Sequence, residues 1–156
     1  MPSAYEVFSR AERIELAAAA LYRRVSARFP WSVSERRVFE ALEREEIQHA
    51  ARVRLLTSQY RNDSRLFDVR ELDLGILEAV EDAVQAVVAE VDSGRWDGDP
   101  EGLKARIVDM EERAGASHAD VLADCADARV AWLFDELSKQ DGEHHALLLG
   151  LTAAST

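Results

Sequence analysis

One motif occurs twice in this chain, 95 residues apart, and it restricts the fold more than any other feature. The first copy is Phe39, Leu42, Glu46, His49 and Val53; the second is Phe134, Leu137, Asp141, His144 and Leu148. Each reads apolar-x-x-apolar-x-x-x-carboxylate-x-x-His-x-x-x-apolar. An α-helix turns by about 100° per residue, so positions three and four apart share a face. The carboxylate and the histidine therefore point where the apolar residues point, into a core. Two metal-ligating residue types among apolar neighbours need partners there.

A second pair of segments extends the repeat. Glu15 stands 31 residues before Glu46, and Glu111 stands 30 before Asp141. Seven residues after Glu15 comes Tyr22, and seven after Glu111 comes His118. Seven residues are almost two turns, so each of these pairs also shares a face. The chain reads as two copies of a helix pair. The first helix of each copy supplies one carboxylate, and the second supplies a carboxylate and a His three positions on. Two divalent cations need several anionic oxygens, a nitrogen ligand each and open positions, and four facing helices can supply them.

Three prolines, Pro2, Pro30 and Pro100, fall where helices should begin or end. The first helix is expected from about Tyr5 to Arg28. Ser32 to Glu35 has the Ser-x-x-Glu form of a capping box and should open the second helix, which runs to about Tyr60. Asn62, Asp63 and Ser64 mark a loop. Between the copies, Leu74, Leu77, Val80, Val84, Val87 and Val91 have helical spacing, so the segment Leu66 to Val91 should hold an extra helix. Its acidic pair, Glu78 and Glu81, is read as facing water. The segment from Ser93 to Pro100 ends it. Further helices are expected at Glu101 to Ala123 and Asp127 to Leu149. The fold class is all-α: one domain over 1–156, with a helix pair at 5–60, a crossover at 61–100 and a second pair at 101–150.

Composition excludes several function classes. With 156 residues and 47% apolar content, the chain can bury a real core. A net charge of −11 argues against nucleic acid or an anionic membrane surface as a partner. The single Cys125 excludes an internal disulfide and a cysteine-ligated iron centre within this chain, and it is read as structural. There is no signal-peptide pattern and no apolar run of membrane-spanning length, so a cytoplasmic location is expected.

Together these residues resemble the ferritin-like superfamily, and within it the stand-alone rubrerythrin-type di-iron carboxylate proteins. The resemblance covers nearly the whole chain. It rests on Glu15 and Tyr22 in IELAAAALY, on LEREEIQH ending at His49, on MEERAGASH starting at Met110, on LSKQDGEH ending at His144, and on the long crossover with its extra helix. It implies a four-helix bundle whose metal ligands are Glu15, Glu46, His49, Glu111, Asp141 and His144, with Tyr22 beside the site, orienting a ligand or quenching a radical. The implied cofactor is two iron ions, with manganese the alternative. The implied activity is a di-iron oxidoreductase acting on peroxide or O₂, either as a peroxidase or as a ferroxidase. No rubredoxin module is present, so an external electron donor, or substrate iron, is expected.

Two positions depart from the family pattern. Asp141 replaces the usual Glu and shortens that arm by about 1.5 Å. His118 stands where the second copy usually has Tyr; it is open between an extra metal ligand, a group bonded to a ligand, and an accommodated core histidine. Two other functions stay in view: an iron-binding or sequestering protein without turnover, and a metal-free bundle serving as a dimerisation or interaction module. Trp31, Trp96 and Trp132 are expected in the core or at an interface. With the apolar crossover helix, they motivate a homodimer or larger homo-oligomer.

Overall fold

The computed structural model describes residues 4–66, 74–123 and 127–154. Among these the chain forms five α-helices and a short 3-10 turn at Ser64–Leu66, with no β-strand. The helices are α1 (Ala4–Arg28), α2 (Val33–Asn62), α3 (Leu74–Asp92), α4 (Pro100–Ala123) and α5 (Ala128–Ala154). Pro2 and Cys125 lie outside the described residues, as do residues 67–73 of the segment expected to hold the extra helix.

The local signals act as expected. The Ser32 hydroxyl accepts the Glu35 N–H at 3.3 Å, and the Glu35 carboxylate accepts the Ser32 N–H at 2.8 Å, closing the capping box of α2. Asp99 caps α4 through the Gly102 N–H at 2.9 Å, with Pro100 at the first helical position, where its missing N–H costs nothing. A Cβ at residue 102 would meet the Asp99 carboxylate at 2.1 Å and the Trp96 ring at 2.8 Å, so this cap needs glycine. Gly94, at φ +80°, supplies the left-handed residue just after α3. Helix ends differ from expectation by a few residues: α2 continues to Asn62 and α5 to Ala154.

Two apolar clusters show how the helices run. One cluster takes Phe8 and Ile14 from the first half of α1, Val53 and Leu56 from the second half of α2, Val121 from α4, and Val130 and Phe134 from the start of α5. The other takes Tyr22 and Val25 from α1, Phe39 and Leu42 from α2, Leu103 and Met110 from α4, and Leu148 from α5. Hence α1 and α5 run one way and α2 and α4 the other: two antiparallel hairpins. The α3 helix starts in the first cluster at Leu77 and ends in the second at Val91, so it carries the chain back along the bundle.

The α3 helix packs against α1 and α4. Its apolar stripe, Leu77, Val80, Val84, Val87, Val88 and Val91, is buried within the chain. That removes one motive for an oligomer, because this apolar surface already has its partner. Glu81 is ion-paired with Arg10 at 2.6 Å and Arg13 at 3.1 Å, and Glu78 with Arg10 at 3.3 Å. The acidic pair thus binds α3 to α1. The tryptophans divide. Trp31 is buried and donates to the Val25 carbonyl at 2.7 Å, and Trp96 is half-buried. Trp132, expected in a core or interface, is 59% exposed and lines a surface cavity between α2 and α5.

Candidate metal centre

All ten motif positions are buried, the apolar ones fully, so both repeats turn the same stripe inward. The polar residues of the stripe form a layer between the two apolar clusters. On α1, Glu15 follows Ile14 of one cluster and precedes Ala18 of the other; on α2, Glu46 and His49 fall between Leu42 and Val53. Glu111 on α4, and Asp141 and His144 on α5, take the equivalent places. Four helices thus deliver four carboxylates and three histidines to one level, every one at most 4% exposed.

The donors meet in two groups. Glu46, Glu111, Asp141 and His144 each present a ligand atom within 4.8 Å of the others, and so do Glu15, Glu46 and His49. Glu46 belongs to both. Glu46 and Asp141, the equivalent positions of the two repeats, offer ligand atoms within 4.8 Å of each other. His49 Nδ1 is 3.2 Å from Glu15 Oε2 and 3.1 Å from Glu46 Oε2. His144 Nδ1 is 3.1 Å from Glu46 Oε1 and 4.0 Å from Glu111 Oε2. The His49 and His144 rings are near-parallel, with centroids 5.5 Å apart.

The residues seven positions on serve the opposite repeat. Tyr22 of α1 donates a short hydrogen bond to Glu111 Oε1 of α4. Reciprocally, His118 of α4 faces Glu15 of α1, with Nε2 3.9 Å from Oε1. A histidine has a second nitrogen, and His118 Nδ1 bonds Asp141 Oδ2 at 2.6 Å. Glu112, next to Glu111 in the sequence, has a side chain 73% exposed and lies outside the layer, as does the half-buried His145.

Burial makes this layer expensive in charge. Glu15 is pushed up to about 8 by burial and by the charge of Glu46. Burial, with Glu46 and Asp141 beside it, pushes Glu111 well above the usual carboxylate range. Burial also opposes ionisation of Glu46, but the close approach of His144 and His49 outweighs it and holds that carboxyl low. Burial disfavours charge on the histidines, yet their carboxylate neighbours prevail: His49 rises to about 10, and His118 and His144 to about 9. Burial and the neighbouring carboxylates thus disfavour charge on Glu15 and Glu111, while the histidines favour it on Glu46.

The hydrogen bonding is nonetheless incomplete. Among the described residues, three buried side-chain atoms have no hydrogen-bond partner: Glu15 Oε1, His118 Nε2 and His144 Nδ1. His144 Nδ1 is near Glu46 but lacks hydrogen-bond geometry. Buried polar atoms are rarely left unpaired, and all three belong to this layer. Glu15, Glu46, Glu111, His118 and Asp141 also border a cavity of about 10 Å³, closed on the α3 side by Val84. That is about one water-sized sphere. Carboxylate and imidazole donors from four helices, three of them unsatisfied, fit divalent transition-metal ions.

Two features of the site carry no signal in the sequence repeat. Glu45 Oε2 is 2.7 Å from His144 Nε2, across from α2 to α5. A carboxylate on the far nitrogen of a histidine fixes its tautomer and aims the near nitrogen. Only knowledge that α5 lies beside α2 could have picked Glu45 out of the run Glu43, Arg44, Glu45. The second feature is an opening. A surface cavity of about 310 Å³ between α4 and α5 is lined by Gly115, Ala116, Ser138 and Gly142 and reaches Glu111 and Asp141. Small residues at four of its lining positions leave the layer approachable from this side. Comparisons with family models, with curated proteins and with solved structures returned no match to this chain, so the chemistry of the site rests on its own residues.

Proposed function

We propose that this chain is a ferritin-like dinuclear metal-carboxylate protein, with iron or manganese as its metal, acting as an oxidoreductase on peroxide or O₂. One observation carries the reading: Glu46 belongs to two adjacent donor groups, each with a histidine, as a carboxylate bridging two ions must. Glu15 and His49 would hold one ion, and Glu111, Asp141 and His144 the other, with Glu46 between them. A pair of redox-active ions supplies two electrons together, which suits reduction of a peroxide O–O bond or of O₂.

The protein's own groups do the rest. Tyr22 holds Glu111 by its hydroxyl, and Glu45 holds His144. The apolar clusters above and below exclude water from the layer, which strengthens every charge interaction within it. The opening between α4 and α5 would admit an oxidant of a few atoms. Electrons would come from an external donor, or from substrate iron if the activity is that of a ferroxidase.

The test has two stages. Protein purified from iron-supplied cells should carry close to two ions per chain, and in the reduced form it should consume peroxide with a reductant present. Two ions without turnover would leave a metal-sequestering protein. No bound metal under iron or manganese supply would overturn the reading and leave the metal-free bundle.

A further inference from the structure

The pairing of His118 with Asp141 assigns roles to the two residues that depart from the repeat. We infer that His118 is a direct metal ligand through Nε2, sharing an ion with Glu15, and that Asp141 is the residue that positions it. This inference rests on the dinuclear reading above and deepens it.

Two buried atoms of the layer face each other. Glu15 Oε1 and His118 Nε2 both lack a hydrogen-bond partner, and they stand 3.9 Å apart. That is too far for a hydrogen bond. Bonds from a divalent transition-metal ion to imidazole nitrogen and carboxylate oxygen are about 2.0–2.2 Å long, so two of them span at most about 4.2 Å. One ion therefore fits between these atoms and satisfies both. The cavity bordered by Glu15, Glu46 and His118 has room for about one such sphere.

The orientation of His118 is fixed from its other side. Nδ1 is bonded to Asp141 Oδ2 at 2.6 Å, and this holds the ring with Nε2 aimed at Glu15. A carboxylate on the far nitrogen is the usual support of a metal-bound imidazole, and it raises the basicity of the ligand. His144 has the same support from Glu45.

The two metal positions are then unequal. The Glu15 side has two imidazoles, His49 and His118, while the Glu111 side has His144 alone. The nitrogen-rich position should favour the ion later in the divalent series, and the oxygen-rich position should accept manganese more readily.

Cobalt(II) substitution tests the assignment. In proton NMR of the cobalt-loaded full chain, each cobalt-bound imidazole contributes one hyperfine-shifted, solvent-exchangeable ring N–H. Three such lines are expected, from His49, His118 and His144. His118→Phe should show two, with one of its two cobalt ions bound at least about 10-fold more weakly. Asp141→Ala should lose the His118 line, and Asp141→Asn, whose amide oxygen can still accept Nδ1–H, should restore it. Two lines in the wild type would overturn His118 as a ligand, and this count stands even if a variant fails to fold. A His118 line that survives Asp141→Ala would overturn the positioning role. No cobalt uptake at all would instead sink the metal centre itself.

Discussion

Glu45 and Gly142 show at the scale of single residues what the site needs beyond its ligands. Glu45 is half out of water, with a side chain 45% exposed, yet it holds the far nitrogen of the fully buried His144. Glu45→Gln removes the charge but keeps a hydrogen-bond acceptor, so the fold should survive. Metal affinity at the His144 position should fall by about 10–100-fold, read by competition with a metal indicator. An unchanged affinity would reduce the contact to a surface pair. Gly142 lies inside α5 at the mouth of the α4–α5 opening, and a Cβ there would meet nothing within 4 Å. Glycine costs a helix interior about 0.5–1 kcal/mol relative to alanine. Gly142→Ala should therefore raise stability by about that amount in denaturant unfolding. Gly142→Leu should narrow the mouth, slowing peroxide consumption while leaving metal content at wild type. Equal rates in Gly142→Leu would mean that the oxidant enters elsewhere.

Among the helices, Lys104 ties the start of α4 to the start of α2. Its side chain is fully buried, its ammonium donates to Glu35 and, at 2.8 Å, to Glu101, and it lies 5.4 Å from the centre of the Trp31 ring. The hydrogen bond from Lys104 holds Glu35 down to about 2, against an ordinary value of 4.5. A carboxyl depressed in the folded state adds stability that is present above its unfolded pKa and is lost as pH falls through its folded one. The window here is about pH 4.5 down to 2. Allowing for screening at the partly exposed Glu35, the contribution is about 1–2 kcal/mol. Glu35→Gln keeps the capping-box geometry and removes only the charge. It should lose that stability at pH 7 and flatten the acid limb of the stability curve; an acid limb as steep as that of the wild type would discount the pair.

The sequence reached this level unevenly, and for physical reasons. Helix periodicity and caps located all five helices, because both are properties of a helix by itself. The same periodicity revealed that α3 has an apolar face but not that the face closes over α1, α4 and the acidic layer. Which helix lies beside which is decided by packing between distant segments. Glu45, Val84 and the α4–α5 opening depend on that neighbourhood, and so none of them could be read from the repeat. Glu15, Glu46, His49, Glu111, Asp141 and His144 could be, because duplication wrote their spacing twice.

For the whole molecule, the outer surface and the buried layer lead to separate expectations. The α1–α4 side is covered by α3, while α2 and α5 display Leu55, 61% exposed, and Trp132, 59% exposed, beside a surface cavity of about 380 Å³. The expected homo-oligomer now rests on this face, and light scattering that returned a strict monomer at micromolar concentration would dismiss it. The buried layer makes the stronger demand. Within the layer three polar atoms are unsatisfied, and burial disfavours charge on two of its carboxyls. Ions that bind there bind only the folded chain, so loading must raise its stability. At a hundredfold excess over Kd, each ion should add about 2.7 kcal/mol, which for a domain of this size is on the order of 5–10 °C in Tm per ion. Glu46→Gln weakens both positions together, because Glu46 is the carboxylate the two groups share. Its Tm should barely respond to ferrous or manganous ion, whatever its metal-free value. Glu143→Gln, at an exposed position on the same helix as Asp141, should respond as the wild type does. A wild-type Tm indifferent to both ions would leave the layer as a costly feature of a metal-free bundle. A full metal response in Glu46→Gln would place the ions somewhere other than between these four helices.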